Sequence, residues 1–114
     1  MKIIVIIFCS LFLVQQADFN QTGTASYYAK KFQNRKTSSG EKYHSDSLTA
    51  AHKTLAFGTR VKVTNLSNNK AVVVRINDRL PKKSRRIIDL SYAAAKELDF
   101  LKKGLTRVEV REAL

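Results

Sequence analysis

The chain is poor in cysteine, in acidic residues and in long apolar runs, and each shortage removes a class of protein. Its single cysteine, Cys9, permits no intramolecular disulfide, so a folded domain must be held by its own core. The longest apolar run, Ile3 to Val14, is twelve residues and falls short of the ~20 that span a bilayer as a helix. No dense grouping of metal ligands occurs: His44, Asp46 and His52 come nearest, and neither metal nor cofactor is expected. Neither Ser39 nor Ser47 sits in a nucleophile-elbow motif, which argues against a Ser–His–Asp hydrolase. Nine acids face 21 Lys and Arg, a net charge of +12.

What remains is enough for one folded unit. With 44% apolar residues, 114 residues suit a single core, and the apolar content is too high for a disordered basic tail. Lys2, then the apolar run, then QQAD reads as a secretion signal over residues 1–17, cut near Ala17 although Gln15 fits the small-residue rule poorly. An uncleaved N-terminal anchor is the alternative. Cys9 is not expected to carry lipid, because Phe8 is bulky and the apolar run continues past it. The domain, residues 18–114, is then exported to the periplasm, cell envelope or medium. Losing 1–17 removes only Lys2 among the charges, so the domain stays at +11. Such a charge is first read as nucleic-acid binding, but an exported domain meets wall polymers and lipid headgroups instead. No nucleic-acid partner, no stable membrane insertion after cleavage and a monomeric state are expected.

Strand signals dominate. TASYYA (24–29) is rich in β-formers. RVKVTNL (60–66) and AVVVRI (71–76) flank the polar cluster SNNK and read as a hairpin. RIIDL (86–90) and TRVEVRE (106–112) are two further strands, the second with Val108 and Val110 on one face. Ser91 before YAAAKELDF is a helix N-cap and Gly104 a stop, with Tyr92, Ala95 and Leu98 or Asp99 as the packing stripe. Two polar loops remain, 30–48 and 77–85, and loops on a small β scaffold are where function tends to sit.

Three titratable residues end tight local patterns: Glu41 in SSGE, His52 in LTAAH and Asp78 in RINDRLP. Each has a plain structural reading. Glu41 can be a solvated residue after a glycine turn, His52 a core histidine bonded to backbone, and Asp78 the cap of its own turn. Residue type alone does not choose between these and a shared site.

The segments GTASYY (23–28), RKTSSGEKY (35–43), LTAAHKTLAFGTRVKVTNL (48–66), VVVRINDRLP (72–81) and RIIDLSYAAAKELDF (86–100) together resemble the rare lipoprotein A-like (RlpA) family. The resemblance implies a mainly β fold, a small six-stranded double-psi β-barrel with one or two short helices. It implies a lytic transglycosylase acting on peptidoglycan glycan strands, with Glu41, His52 and Asp78 in one site. Three departures stand out. Asn34 and Ser38 replace Gly and Ala of the family pattern, and Leu80 replaces a Gly beside the site, where it is expected to narrow the groove and to tolerate return to Gly.

A lytic transglycosylase protonates the leaving oxygen and lets the muramyl C6 hydroxyl close a 1,6-anhydro ring, so no water is consumed. Asp78 is preferred over Glu41 as acid/base, with the other carboxylate positioning sugar or stabilising charge and His52 hydrogen-bonded to one of them. Strand alternation places Arg75 and Asn77 opposite Ile76 and Asp78, keeping Arg75 from depressing the acid. Ser26, Tyr28, Tyr43, Asn77 and Arg79 are the expected substrate contacts. The rival reading is a non-catalytic, expansin-like module that binds and loosens wall polysaccharide through the same groove.

Overall fold

Alternating valines build the centre of the molecule. The computed structural model describes residues 19–113, so the expected signal segment lies outside the described residues. β1 (Asn20–Tyr27), β2 (Thr49–His52), β3 (Arg60–Asn65), β4 (Ala71–Arg79), β5 (Ile88–Leu90) and β6 (Thr106–Glu112) are the strands. Among the described residues, a 3-10 turn (Lys30–Phe32) and one helix, α1 (Tyr92–Glu97), complete the fold. In β3 and β4, Val61 pairs with Val74 and Val63 with Val72, all buried, while Lys62 is exposed. The expected hairpin therefore forms, and Asn69, with φ of 64°, turns its polar connection. Val108 and Val110 of β6 join the same core.

The strands close in the order β1-β5-β2-β4-β3-β6. β1 with β5 and β2 with β4 are parallel; the remaining pairs are antiparallel. Closure leaves no open sheet edge and frees the loops at the rim. Gly23 permits one tight approach, since a Cβ there would meet Ile87 Cγ2 at 2.6 Å.

Several boundaries differ from the sequence reading. β1 begins earlier and ends at Tyr27, and β5 lacks Arg86 and Ile87. Ser91 caps α1 as expected, its hydroxyl accepting from Ala94 N, but the helix ends at Glu97, with Leu98 as its C-cap before Asp99 (φ 57°). Its buried stripe is Ala94, Ala95 and Leu98, with Tyr92 and Asp99 exposed. The unpredicted strand is β2. All four of its residues are buried, so it shows no alternation to find.

β2 also reshapes β4. Ala50 pairs with Ile76, but Ala51 pairs with Asp78, leaving Asn77 as an extra residue. This β-bulge shifts the side-chain alternation by one. Thr49 and Ala51 share a face, so their partners Arg75 and Asp78 do too. The expectation that Arg75 faces away from Asp78 is overturned, because simple alternation does not survive a bulge.

Leu80 is corrected as well. It is 3% exposed, packed inside instead of lining a groove, and it is not among the residues with positive φ. Its position demands a side chain, not glycine's freedom. Asn34, by contrast, does take a left-handed φ of 68°, a region that glycine enters freely and asparagine more readily than most residues.

Candidate active site

A tight loop lays Glu41 against the bulged end of β4. Gly40, with φ of 95°, turns the chain so that Thr37 N and Oγ1 both donate to Glu41 O at 2.7 Å. Ser39 N donates to Asn77 O at 3.3 Å, and Ser38 N to Asp78 Oδ1 at 2.9 Å. Both carboxylates thus hang on a single loop-to-strand contact, on the face that the bulge gave to Asp78.

Asp78 is half-buried and richly bonded. Oδ1 accepts from Ser38 N and from Arg79 N at 2.8 Å, and Oδ2 accepts from the Tyr28 hydroxyl at 2.5 Å. Burial alone pushes its pKa up, but these donors outweigh it, and the carboxyl is held below the usual aspartate range. Burial and the adjacent Asp78 push the Tyr28 hydroxyl well above its ordinary value, which keeps it a donor. The Ser38 hydroxyl adds to the lowering of Asp78, so this departure supports the anion.

Glu41 is exposed and paired with Arg75, Nη1 to Oε1 at 2.7 Å. Arg75 is the main reason its pKa is also lowered, with smaller help from Asn77 and Ser39. Asn77 therefore serves both carboxylates, its carbonyl fixing the loop and its amide facing Glu41. Arg79 reaches the Asp78 carboxylate through its backbone N–H only, while its guanidinium donates to the Asp78 carbonyl at 3.4 Å. Its guanidinium donates to His52 O at 3.3 Å and lies 4.2 Å from the Phe57 ring centroid.

His52 does not hold a carboxylate. The ring is 2% exposed; Nε2 lies 2.9 Å from Gln21 Oε1, and Nδ1 accepts from Thr54 N and Leu55 N at 3.1 Å each. Both nitrogens are engaged, and the tautomer is fixed as Nε2–H. The expected hydrogen bond to Asp78 or Glu41 gives way to these partners. What His52 contributes near the site is backbone, accepting from Leu80 N and from Arg79. Burial chiefly, then the charges of Arg79 and Lys53, lower its pKa.

That shift sets a pH dependence. A histidine harder to protonate folded than unfolded stabilises the fold above its unfolded pKa of ~6.5, and the benefit is lost as pH falls below that value. The melting temperature should fall between pH 7.5 and pH 5. His52→Asn, whose amide oxygen can accept from Thr54 N, should flatten that slope. An equally steep slope in the variant would show that another group carries it.

Ser26 donates to Asp89 Oδ1 at 2.5 Å, and Arg86 clamps the same carboxylate at 2.8 and 3.2 Å. Ala51 pairs with Asp78 on one side and Asp89 on the other. Asp89 thus stands one small residue across the sheet from Asp78, on the same face. Sequence reasoning passed over it because its nearness depends on β2, the unpredicted strand.

Tyr28 and Tyr43 stack at 4.5 Å with an interplanar angle of 12°. Tyr43 is 2% exposed, and its hydroxyl accepts from Tyr92 N at 3.1 Å. Beside them opens a cavity of about 330 Å³, bordered by Tyr28, Lys30, Gln33, Tyr43, Ser45 and Tyr92.

A family model described as lytic transglycolase matches residues 20–110. Over 98 residues the chain is 50% identical to an endolytic peptidoglycan transglycosylase RlpA of Neisseria meningitidis, covering 86% of this chain and 41% of the relative. The Haemophilus influenzae protein of the same name is 54% identical over 92 residues, with 81% and 32% covered. The chain therefore spans about two fifths or less of these relatives' length. Among solved structures, a Streptomyces papain inhibitor matches with a TM-score of 0.66 at 22% identity, covering 83% of this chain and 96% of that one. An expansin of Clavibacter michiganensis, solved with cellohexaose, also matches at 0.66, with 18% identity and 84% and 51% covered. At such identities the likeness is one of fold, and it sets the six strands among the double-psi β-barrels, as the sequence resemblance implied.

Proposed function

The chain belongs to the lytic transglycolase family, and from that membership we propose that the exported domain, residues 18–114, cleaves peptidoglycan glycan strands between muramyl and glucosaminyl units. The product is a 1,6-anhydromuramyl end. The observation that carries this reading is the pair of carboxylates, Glu41 and Asp78, tied to one loop-to-strand contact on one face of the barrel.

The two differ in what substrate can change. Two of the donors to Asp78 are backbone N–H groups and the third is the stacked Tyr28, so its bonds belong to the scaffold. It suits the permanent anion that stabilises positive charge at C1. Glu41 is exposed and held by one flexible arginine. A bound glycan that displaces Arg75 and excludes water raises the Glu41 pKa, readying it as proton donor. These environments favour Glu41 over Asp78 as the acid, the reverse of the sequence-based preference.

In this scheme protonated Glu41 gives its proton to the glycosidic oxygen and the C1–O bond breaks. The C6 hydroxyl then attacks C1, and its proton returns to Glu41. His52 is a positioning residue, holding Arg79 and Leu80 through its carbonyl.

Incubating the domain with purified sacculi and analysing soluble fragments by mass spectrometry tests the reading. Anhydromuramyl ends are expected. Wall binding with no released fragments favours the expansin-like alternative. Tyr28→Phe removes one donor from ionised Asp78, so the Asp78 pKa should rise. The acid limb of the rate profile should move upward, with the largest loss at the acid end of the profile and little at pH 7. An unmoved limb would mean Asp78 does not act as the anion.

A further inference from the structure

We propose that the cavity beside Tyr28 is a subsite for one uncharged N-acetylated pyranose ring, next to the ring being cleaved. The inference rests on the glycan-cleaving reading for its occupant and on the cavity itself for its chemistry. Size comes first. At about 330 Å³ the cavity lies near the lower bound of ligand pockets, room for one sugar ring and not for a disaccharide.

Its lining fits the faces of such a ring. Tyr28 and Tyr92, backed by the buried Tyr43, supply apolar surface for C–H faces and an acetyl methyl. Lys30 and the amide of Gln33 supply donors for hydroxyl and acetyl oxygens. No acid borders it.

The cavity is pre-formed, because its walls are tied to one another. Ser45 N donates to Gln33 Oε1 at 2.8 Å, Ala93 N to Ser45 O at 2.8 Å, and Tyr92 N to the Tyr43 hydroxyl at 3.1 Å. The 30–48 loop and the start of α1 are thereby locked together, with Tyr28 stacked on Tyr43, so little ordering cost falls on binding. It is also continuous with the catalytic groups. Tyr28 presents its ring to the cavity and its hydroxyl to Asp78. A ring seated there is thus one tyrosine away from the anion, and in an alternating strand the neighbour of a reacting muramyl ring is the uncharged glucosaminyl unit.

The test uses Tyr92→Ala and Lys30→Gln, both at exposed positions outside the carboxylate cluster. On glycan strands, Tyr92→Ala should raise KM about tenfold, the loss of one good contact, with kcat within about twofold; Lys30→Gln should raise it less. Separately, tri-N-acetylchitotriose added to isotope-labelled Glu41→Gln protein should shift the amide signals of Tyr43, Ser45 and Tyr92. Cellotriose, which lacks the acetamido groups, should shift them at least tenfold more weakly. Equal response to both sugars would overturn acetamido recognition. Unchanged KM in both variants, with wild-type cleavage intact, would overturn the subsite. If the wild type cleaves no glycan, the functional reading fails, while the chitotriose shifts still decide the cavity.

Discussion

Asp78→Asn should leave a folded barrel that releases anhydromuramyl fragments about 10²–10³-fold more slowly, the scale of losing one preorganised electrostatic contact at a transition state. Folding should survive because both backbone donors, Ser38 N and Arg79 N, bond Oδ1, and an asparagine oxygen can accept both. The Tyr28 hydroxyl, which now donates to Oδ2, can accept from the new amide. What the substitution removes is the negative charge.

Glu41→Gln should cost about 10²–10⁴-fold, the range for general acid–base catalysis, for a different reason. The two losses separate on a glycoside with an aryl leaving group that departs without a proton. Such a substrate should recover most of the rate in Glu41→Gln and little in Asp78→Asn. Recovery in Asp78→Asn alone would return the acid role to Asp78. Wild-type cleavage of sacculi by both variants would remove the site altogether.

Leu80→Gly should be strongly destabilising. Removing a side chain this buried leaves a cavity, and the large-to-small range of ~2–5 kcal/mol applies, with roughly 0.5–1 kcal/mol more for the freedom of glycine in the unfolded chain. Against a typical domain stability of ~5–15 kcal/mol that is a large fraction. At about 4–8 °C per kcal/mol for a domain of this size, it corresponds to a fall in melting temperature of roughly 10–45 °C. Thermal unfolding followed by circular dichroism measures it. A loss below ~1 kcal/mol, close to what the glycine backbone alone accounts for, would show that Leu80 contributes nothing through packing.

The part of the site visible in the sequence was a set of residue types in order. Glu41, His52 and Asp78 stood at the ends of recognisable patterns, and their segments resembled one family. Their roles were not visible. His52 looked like a partner for a carboxylate, yet the turn that follows it supplies two amide donors and Gln21 of β1 a third contact. Leu80 looked like a groove residue because it lies two positions from Asp78 in the chain. It stands just past the end of β4, where strand alternation no longer applies, and its side chain is buried.

The order of apolar and polar residues was sufficient by itself for the valine strands, the Ser91 cap and a barrel-sized core, since these depend on period and local bonding. Which side of β4 carries Asp78 was decided only in three dimensions. A four-residue strand forty-odd positions from the helix start, buried throughout, sets the bulge at Asn77 and with it the company of both carboxylates. Pairing register between distant strands is fixed by the packing of the whole barrel, and no local pattern in the chain encodes a single skipped residue.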